Sequence, residues 1–102
     1  MKEIKYIAER IREELSDAEG YAKHALKWKD TDRELSQTLA ELSKQELAHS
    51  DSLHHQAVRL IRKQKDNGET APAAMQAVWD WEHEHMIEHK EKVEHLLKMF
   101  RE

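Results

Sequence analysis

The residues with the clearest capacity for chemistry are Glu46 and His49, which form a Glu-x-x-His step, and Glu14 earlier in the chain. On a helix, residues three apart lie on one face, so Glu46 and His49 would present a carboxylate and an imidazole together. All three interrupt stripes of mostly apolar residues, where an ionised carboxylate is costly unless its charge is compensated. A divalent cation compensates the charge and fixes the imidazole tautomer, so this pattern predicts a metal site.

Three predicted helices must position these residues, over residues 2–29, 31–66 and 73–101. The first break, around Lys29-Asp30-Thr31-Asp32, supplies both Asp and Thr as N-cap candidates, and Thr31 and Glu34 have the spacing of a capping box. Asn67-Gly68 ends the second helix, and Pro72 suits the first turn of the third. Each helix carries a stripe with three- and four-residue spacing that indicates packing in a bundle. The stripes are Ile4, Ile7, Ile11, Glu14, Ala18, Tyr21, Ala25 and Trp28; Leu35, Leu39, Leu42, Glu46, His49, Leu53, Gln56 and Leu60; and Met75, Trp79, Glu82, Met86, His89, Val93, Leu96 and Phe100.

The depth of each residue along the bundle tests whether the first two helices bring these groups together. Glu14 lies about 16 residues, or about 24 Å, above the first turn. On the second helix, Glu46 and His49 lie about 21 and 26 Å from the same turn. Glu14 is therefore predicted to lie level with the gap between Glu46 and His49. A small rotation of the first helix would instead expose Glu14, with Glu13 or Glu19 in its place, and water or a lysine could satisfy Glu46 without metal.

The third helix offers further imidazoles. Glu82 and His85 form another Glu-x-x-His step, but Glu82 lies only about 15 Å from Pro72, whereas His49 lies about 26 Å from the second turn. His89 is the better match in depth, with His85 one turn below it, so these two histidines are predicted as secondary ligands. Most of the other histidines are predicted to be solvent-facing, namely His54, His55, His83 and His95.

Composition limits the classes of function. The chain has 102 residues, 37% of them charged, with two Gly, one Pro, no Cys and a net charge of -4. Acidic and basic residues alternate, which argues against a nucleic-acid interface. The absence of Cys excludes thiolate ligands and fits a reducing cytosol, and neither a membrane span nor a signal-peptide core is recognisable, so a cytoplasmic location is expected. A mean hydropathy of -0.99 leaves a small core, which favours self-association.

Residues 8–62 resemble the two-helix half of rubrerythrins and, more closely, of encapsulated ferritins. The resemblance rests on Glu13-Glu14-Leu15, on Tyr21 and on Glu46-Leu47-Ala48-His49. It implies that Glu14 bridges two metal ions, that Tyr21 is its aromatic neighbour and that Glu46 and His49 are ligands. It also implies oxidation of ferrous iron at a site shared by two half-bundles. Gly20 stands where encapsulated members often have Trp, and the third helix lies outside the resemblance.

Together these observations predict an all-α fold: a three-helix antiparallel ferritin-like half-bundle, whose four-helix metal-binding bundle is completed by dimerisation. The expected function is binding and oxidation of Fe(II) at a di-iron centre, with Mn or Zn as other fitting metals and O₂ or peroxide as oxidant. A homodimer or larger homo-oligomer is expected, with a shell protein or a reductase as a further partner. The alternatives are a metal-free helical adaptor on the same scaffold and a zinc or nickel regulator that uses His85 and His89.

Overall fold

The computed structural model of the protein describes residues 2–68 and 73–102, without the side chains of residues 73–75 and 78. These residues form three helices: α1 (Lys2–Lys27), α2 (Arg33–Asp66) and α3 (Ala73–Arg101). No strand occurs among them, so the predicted all-α fold class is confirmed at this level. Pro72 and the side chain of Met75 lie outside the described residues. None of the helices, over the part of each that is described, has an apolar stretch long enough to cross a membrane.

The turn between α1 and α2 differs in detail from the prediction. α1 ends at Lys27, and the backbone N–H groups of Thr31 and Asp32 donate to the carbonyl of Trp28 at 3.2 and 2.9 Å. The N-cap of α2 is Asp32, whose carboxylate accepts from the Leu35 N–H at 3.1 Å. A carboxylate at this position also interacts favourably with the helix dipole. Of the predicted Asp and Thr candidates, Asp32 is therefore the one that caps α2, and the capping box of Thr31 and Glu34 is not used. At the other end of α2, Gly68 has a φ of 75°, as expected after a helix C-terminus.

The three helices run up, down and up. Ion pairs fix the direction of α3: Arg12 of α1 pairs with Glu82 of α3, and Glu19, further along α1, pairs with Lys92, further along α3. α3 is therefore parallel to α1 and antiparallel to α2. It packs mainly against α1 and touches α2 only sparsely. The result is an elongated bundle of 56 × 19 × 18 Å.

Small residues bring α1 and α2 together closely. The facing positions are Ala18, Ala22 and Ala25 on α1 and Ser36, Ala40 and Ser43 on α2, all buried. Two serine hydroxyls cross the interface: Ser36 Oγ donates to the Ala25 carbonyl at 2.5 Å and Ser43 Oγ donates to the Ala18 carbonyl at 2.7 Å. These bonds fix the relative height of the two helices because each joins a side chain to a specific backbone oxygen.

This close approach rotates α2 relative to the predicted stripe. The residues of α2 that are buried are small: Ser36, Ala40, Ser43, Ser50 and Ala57. The predicted stripe lies beside them; Leu39, Leu42, Leu53 and Leu60 are half-buried, and Leu35 is exposed. The leucine stripe therefore forms an edge of the bundle that α1 and α3 cover only in part.

The apolar core consists of two clusters. One contains Ile4, Ile7, Ile11 and Leu15 of α1 with Ala57 of α2 and Met86 of α3. The other contains the alanines of the α1–α2 interface with Val93 and Leu97 of α3. Glu14 lies at the boundary between them, since Leu15 belongs to the first cluster and Ala18 to the second.

The first prediction concerns the α1–α2 interface. Ala22 is fully buried between the helices, so Ala22→Leu must push them apart and should lower the free energy of unfolding by about 1–3 kcal/mol. Chemical denaturation measures the change, with Ala77→Leu at an exposed position of α3 as the matched control. Equal stability of the two variants would contradict the close packing of α1 against α2.

Candidate metal centre

Glu14 is the carboxylate of α1 that points into the bundle. Its side chain is only 10% exposed. Arg10, one turn earlier, donates from Nη2 to Glu14 Oε1 at 2.5 Å and from Nη1 to the exposed Glu13 at 2.6 Å. The arginine therefore holds one oxygen of Glu14 and leaves the other directed towards α2.

Glu46 and His49 meet that oxygen from α2. His49 Nδ1 lies 3.5 Å from Glu14 Oε2 and 3.7 Å from Glu46 Oε2. One ligand atom from each of the three residues falls within 4.8 Å of the others. Ligand atoms of one transition-metal ion, each about 2.0–2.2 Å from it, lie at most about 4.4 Å apart. The three side chains are thus near the spacing of a shared ion, as the depth comparison predicted.

Glu46 supplies the strongest sign that the set is incomplete without a cation. Its Oε2 is buried and has no hydrogen-bond partner among the described residues. The distance of 3.7 Å to His49 Nδ1 is too long for a hydrogen bond. A buried acceptor without a partner carries its full desolvation cost, which is greater for a charged oxygen. Two carboxylates and an imidazole therefore fit a divalent cation, and the cation would satisfy the Glu46 oxygen that has no hydrogen-bond partner in the described part of the chain.

The site is open on one side. Whereas Glu14 and Glu46 are 10% and 19% exposed, the side chain of His49 is 61% exposed. His49 lies on the half-covered leucine stripe of α2, so the site opens at the edge of the bundle that α1 and α3 cover only in part. Three protein ligands with an open side leave room for further ligands to a bound ion.

The other predicted site residues lie elsewhere. Tyr21 is half-buried and follows Glu14 by seven residues, which is about 10 Å along α1. The ring of His85 is tilted by 34° against that of Trp81 at a centroid separation of 3.8 Å, and its Nδ1 lies 2.8 Å from the Trp81 carbonyl. His89 Nε2 lies 3.4 Å from Glu19 Oε1. The structure brings together Glu14, Glu46 and His49, but it places the two histidines in the groove between α1 and α3.

Glu19 in that groove is an ion-pair centre rather than a free ligand. Lys92 donates to it at 2.9 Å and Lys23 lies 3.2 Å away. The hydrogen bond from Lys92 is the main reason that the pKa of Glu19 lies below its usual value, although partial burial opposes the shift. His89 therefore lies beside a carboxylate that already forms ion pairs with the ammonium groups of Lys23 and Lys92.

A contact that the sequence did not reveal joins His54 of α2 to His83 of α3. Their Nε2 atoms are 3.0 Å apart and both side chains are half-buried, although both were predicted to face solvent. Local spacing signals only that His54 lies on the inward face of α2, since it continues the spacing of Ser43, Leu47 and Ser50. It does not indicate the partner on α3.

Comparisons with family models, with curated proteins and with solved structures found no match to this chain. The resemblance to the ferritin-like half-bundle therefore rests on the motif residues themselves.

The second prediction concerns the effect on stability of Glu46 Oε2, which is buried without a hydrogen-bond partner among the described residues. Glu46→Met keeps the length of the side chain and removes the buried charge, so it should raise the free energy of unfolding of metal-free protein by about 1 kcal/mol. The control is Glu41→Met, which removes the same charge from a site on α2 that is 62% exposed and should change stability by less than about 0.5 kcal/mol. Denaturation in the presence of a chelator measures both. A loss of stability in Glu46→Met would mean that the carboxylate is already satisfied in the free chain.

Proposed function

We propose that this protein is a non-haem di-iron protein of the ferritin-like type, which binds Fe(II) and oxidises it between two copies of the chain. The convergence of Glu14, Glu46 and His49, with ligand atoms within 4.8 Å, is the observation that carries the proposal. The buried oxygen of Glu46 that lacks a partner among the described residues supports it, since it is the group that a cation would satisfy.

Two copies would complete the ligand set. Di-iron bundles of this type use one Glu from each of two helices and a Glu-x-x-His from each of two others. One chain supplies half of this set, and a two-fold axis supplies the rest. The leucine stripe of α2 supports such an arrangement, because its half-covered leucines flank His49 on the side where a second copy would dock.

The ligand types favour iron. Mixed carboxylate and imidazole ligands with open positions suit Fe(II) and its reaction with O₂ or peroxide, and Mn or Zn would also fit them. Iron at this site would supply the redox chemistry, each Fe(II) giving one electron to the oxidant. The protein orients the donors: Arg10 holds Glu14 Oε1, so that Oε2 faces the site. His49 presents Nδ1, which requires its proton on Nε2, on the other side of the ring.

One observation favours the rival function, a metal-free helical adaptor. The ion pair between Arg10 and Glu14, at 2.5 Å, compensates the buried carboxylate of α1 without any metal. Arg10 contacts only one of the four carboxylate oxygens of Glu14 and Glu46, however. Glu46 Oε2 still has no hydrogen-bond partner among the described residues. The zinc or nickel regulator that uses His85 and His89 has weaker support, since each of these imidazoles already contacts another group of its groove.

The third prediction is that the site oxidises Fe(II). On aerobic addition of ferrous salt, wild-type protein should speed the appearance of ferric absorbance. Glu46→Ala and His49→Ala should slow it by at least about tenfold, a loss seen even for residues that only support metal ligands. Matched controls on α2 are Glu41→Ala and His55→Ala, both at exposed positions.

The controls decide between the proposal and its rivals. If Glu46→Ala and Glu41→Ala oxidised iron at the same rate, the three-residue site would have no role in oxidation. An adaptor would keep its partner binding in Glu46→Ala, and a regulator would respond to His85→Ala and His89→Ala instead.

A further inference from the structure

The crevice between α2 and α3 contains two histidines that contact each other. His54 comes from α2 and His83 from α3, and their Nε2 atoms approach to 3.0 Å. The ring of Trp79 stacks on His83 at 5.9 Å. This pair is separate from the site of Glu14, Glu46 and His49, and few other contacts join α2 to α3.

The separation of the two nitrogens matches that of two imidazoles bound to one ion. With metal–nitrogen distances of about 2.0–2.1 Å and angles between 90° and the tetrahedral value, two such ligands lie about 2.9–3.4 Å apart. An N–H···N hydrogen bond between neutral imidazoles also has this length, so distance alone does not separate the two interpretations.

The surroundings of the pair favour the metal. A cavity beside it is lined by Asp51, His54 and His83, together with Ser50, Met86 and Lys90. Asp51 precedes His54 by one turn of α2, which repeats the carboxylate–imidazole step of Glu46 and His49. The Asp51 carboxylate accepts from Lys90 at 2.8 Å and lines the same cavity, but it does not form a common ligand cluster with the two histidines. A hydrogen-bonded pair alone would not need the cavity.

We infer that His54 and His83 form a second metal site, for a late first-row divalent ion such as Zn²⁺, with water from the adjoining cavity completing the coordination. Imidazole-rich sites suit zinc, nickel and copper, whereas the carboxylate-rich site of Glu14, Glu46 and His49 suits iron. The bound ion would join α3 to α2 across the part of the bundle where these helices have few contacts.

Zinc calorimetry on a chain that carries Glu46→Ala and His49→Ala tests this inference apart from the proposed function. With the first site disabled, one Zn²⁺ should still bind per chain. Adding His54→Gln or His83→Gln should weaken the binding at least tenfold, whereas His55→Gln, an exposed neighbour on α2, should leave it unchanged. Circular dichroism checks that each variant remains helical.

Two results would overturn the inference. Unchanged zinc affinity in both His54→Gln and His83→Gln would identify the pair as a hydrogen bond only. Loss of all zinc binding on Glu46→Ala and His49→Ala would place the ion in the first site.

A second measurement leaves His54 and His83 unsubstituted. Cu²⁺ is bound to the chain in which the first site is disabled, and its electron paramagnetic resonance spectrum should show coupling to two imidazole nitrogens. Coupling to fewer nitrogens would exclude a site shared by the two histidines. Ferrous oxidation by His54→Gln should equal that of wild type, so either proposal can fail alone.

Discussion

The close approach of α1 and α2 is the constraint on which the candidate site depends. Alanines and serines line the contact, and the hydroxyls of Ser36 and Ser43 bond to backbone oxygens of α1. These bonds set the height of α2 against α1, and small side chains keep the two backbones near each other. As a result Glu14 Oε2 lies 3.5 Å from His49 Nδ1. Larger residues at the contact would separate these groups beyond the reach of one ion.

The carboxylates of Glu14 and Glu46 differ in how well neighbouring groups compensate them. Arg10 serves one oxygen of Glu14, yet Glu46 Oε2 is buried without a hydrogen bond from any described residue. Natural sequences retain such costly groups where function requires them. The half-covered leucines around His49 leave the same side of α2 open. A buried carboxylate oxygen without a hydrogen bond among the described residues and an incompletely covered apolar edge thus occur together, and a cation shared with a second copy would resolve both.

Much of this arrangement could be predicted from the sequence. Apolar periodicity gives the three helices, and counting residues from the first turn places Glu14 level with Glu46 and His49. The rotation of α2 could not be predicted in this way. Ser36, Ala40 and Ser43 are buried although they carry little hydrophobic signal, whereas the leucines that dominate the pattern lie at the edge. The position of α3 depends on contacts with distant parts of the chain, such as Arg12 with Glu82, so the pairing of His54 with His83 was not visible in local spacing.

The most direct measurement is anomalous scattering at the iron edge from crystals grown with ferrous salt under anaerobic conditions. A di-iron centre between two copies predicts iron peaks bound by Glu14, Glu46 and His49, in a pair related by the two-fold axis between neighbouring copies. Crystals in which these side chains face bulk solvent, with no iron peak between facing copies, would contradict it.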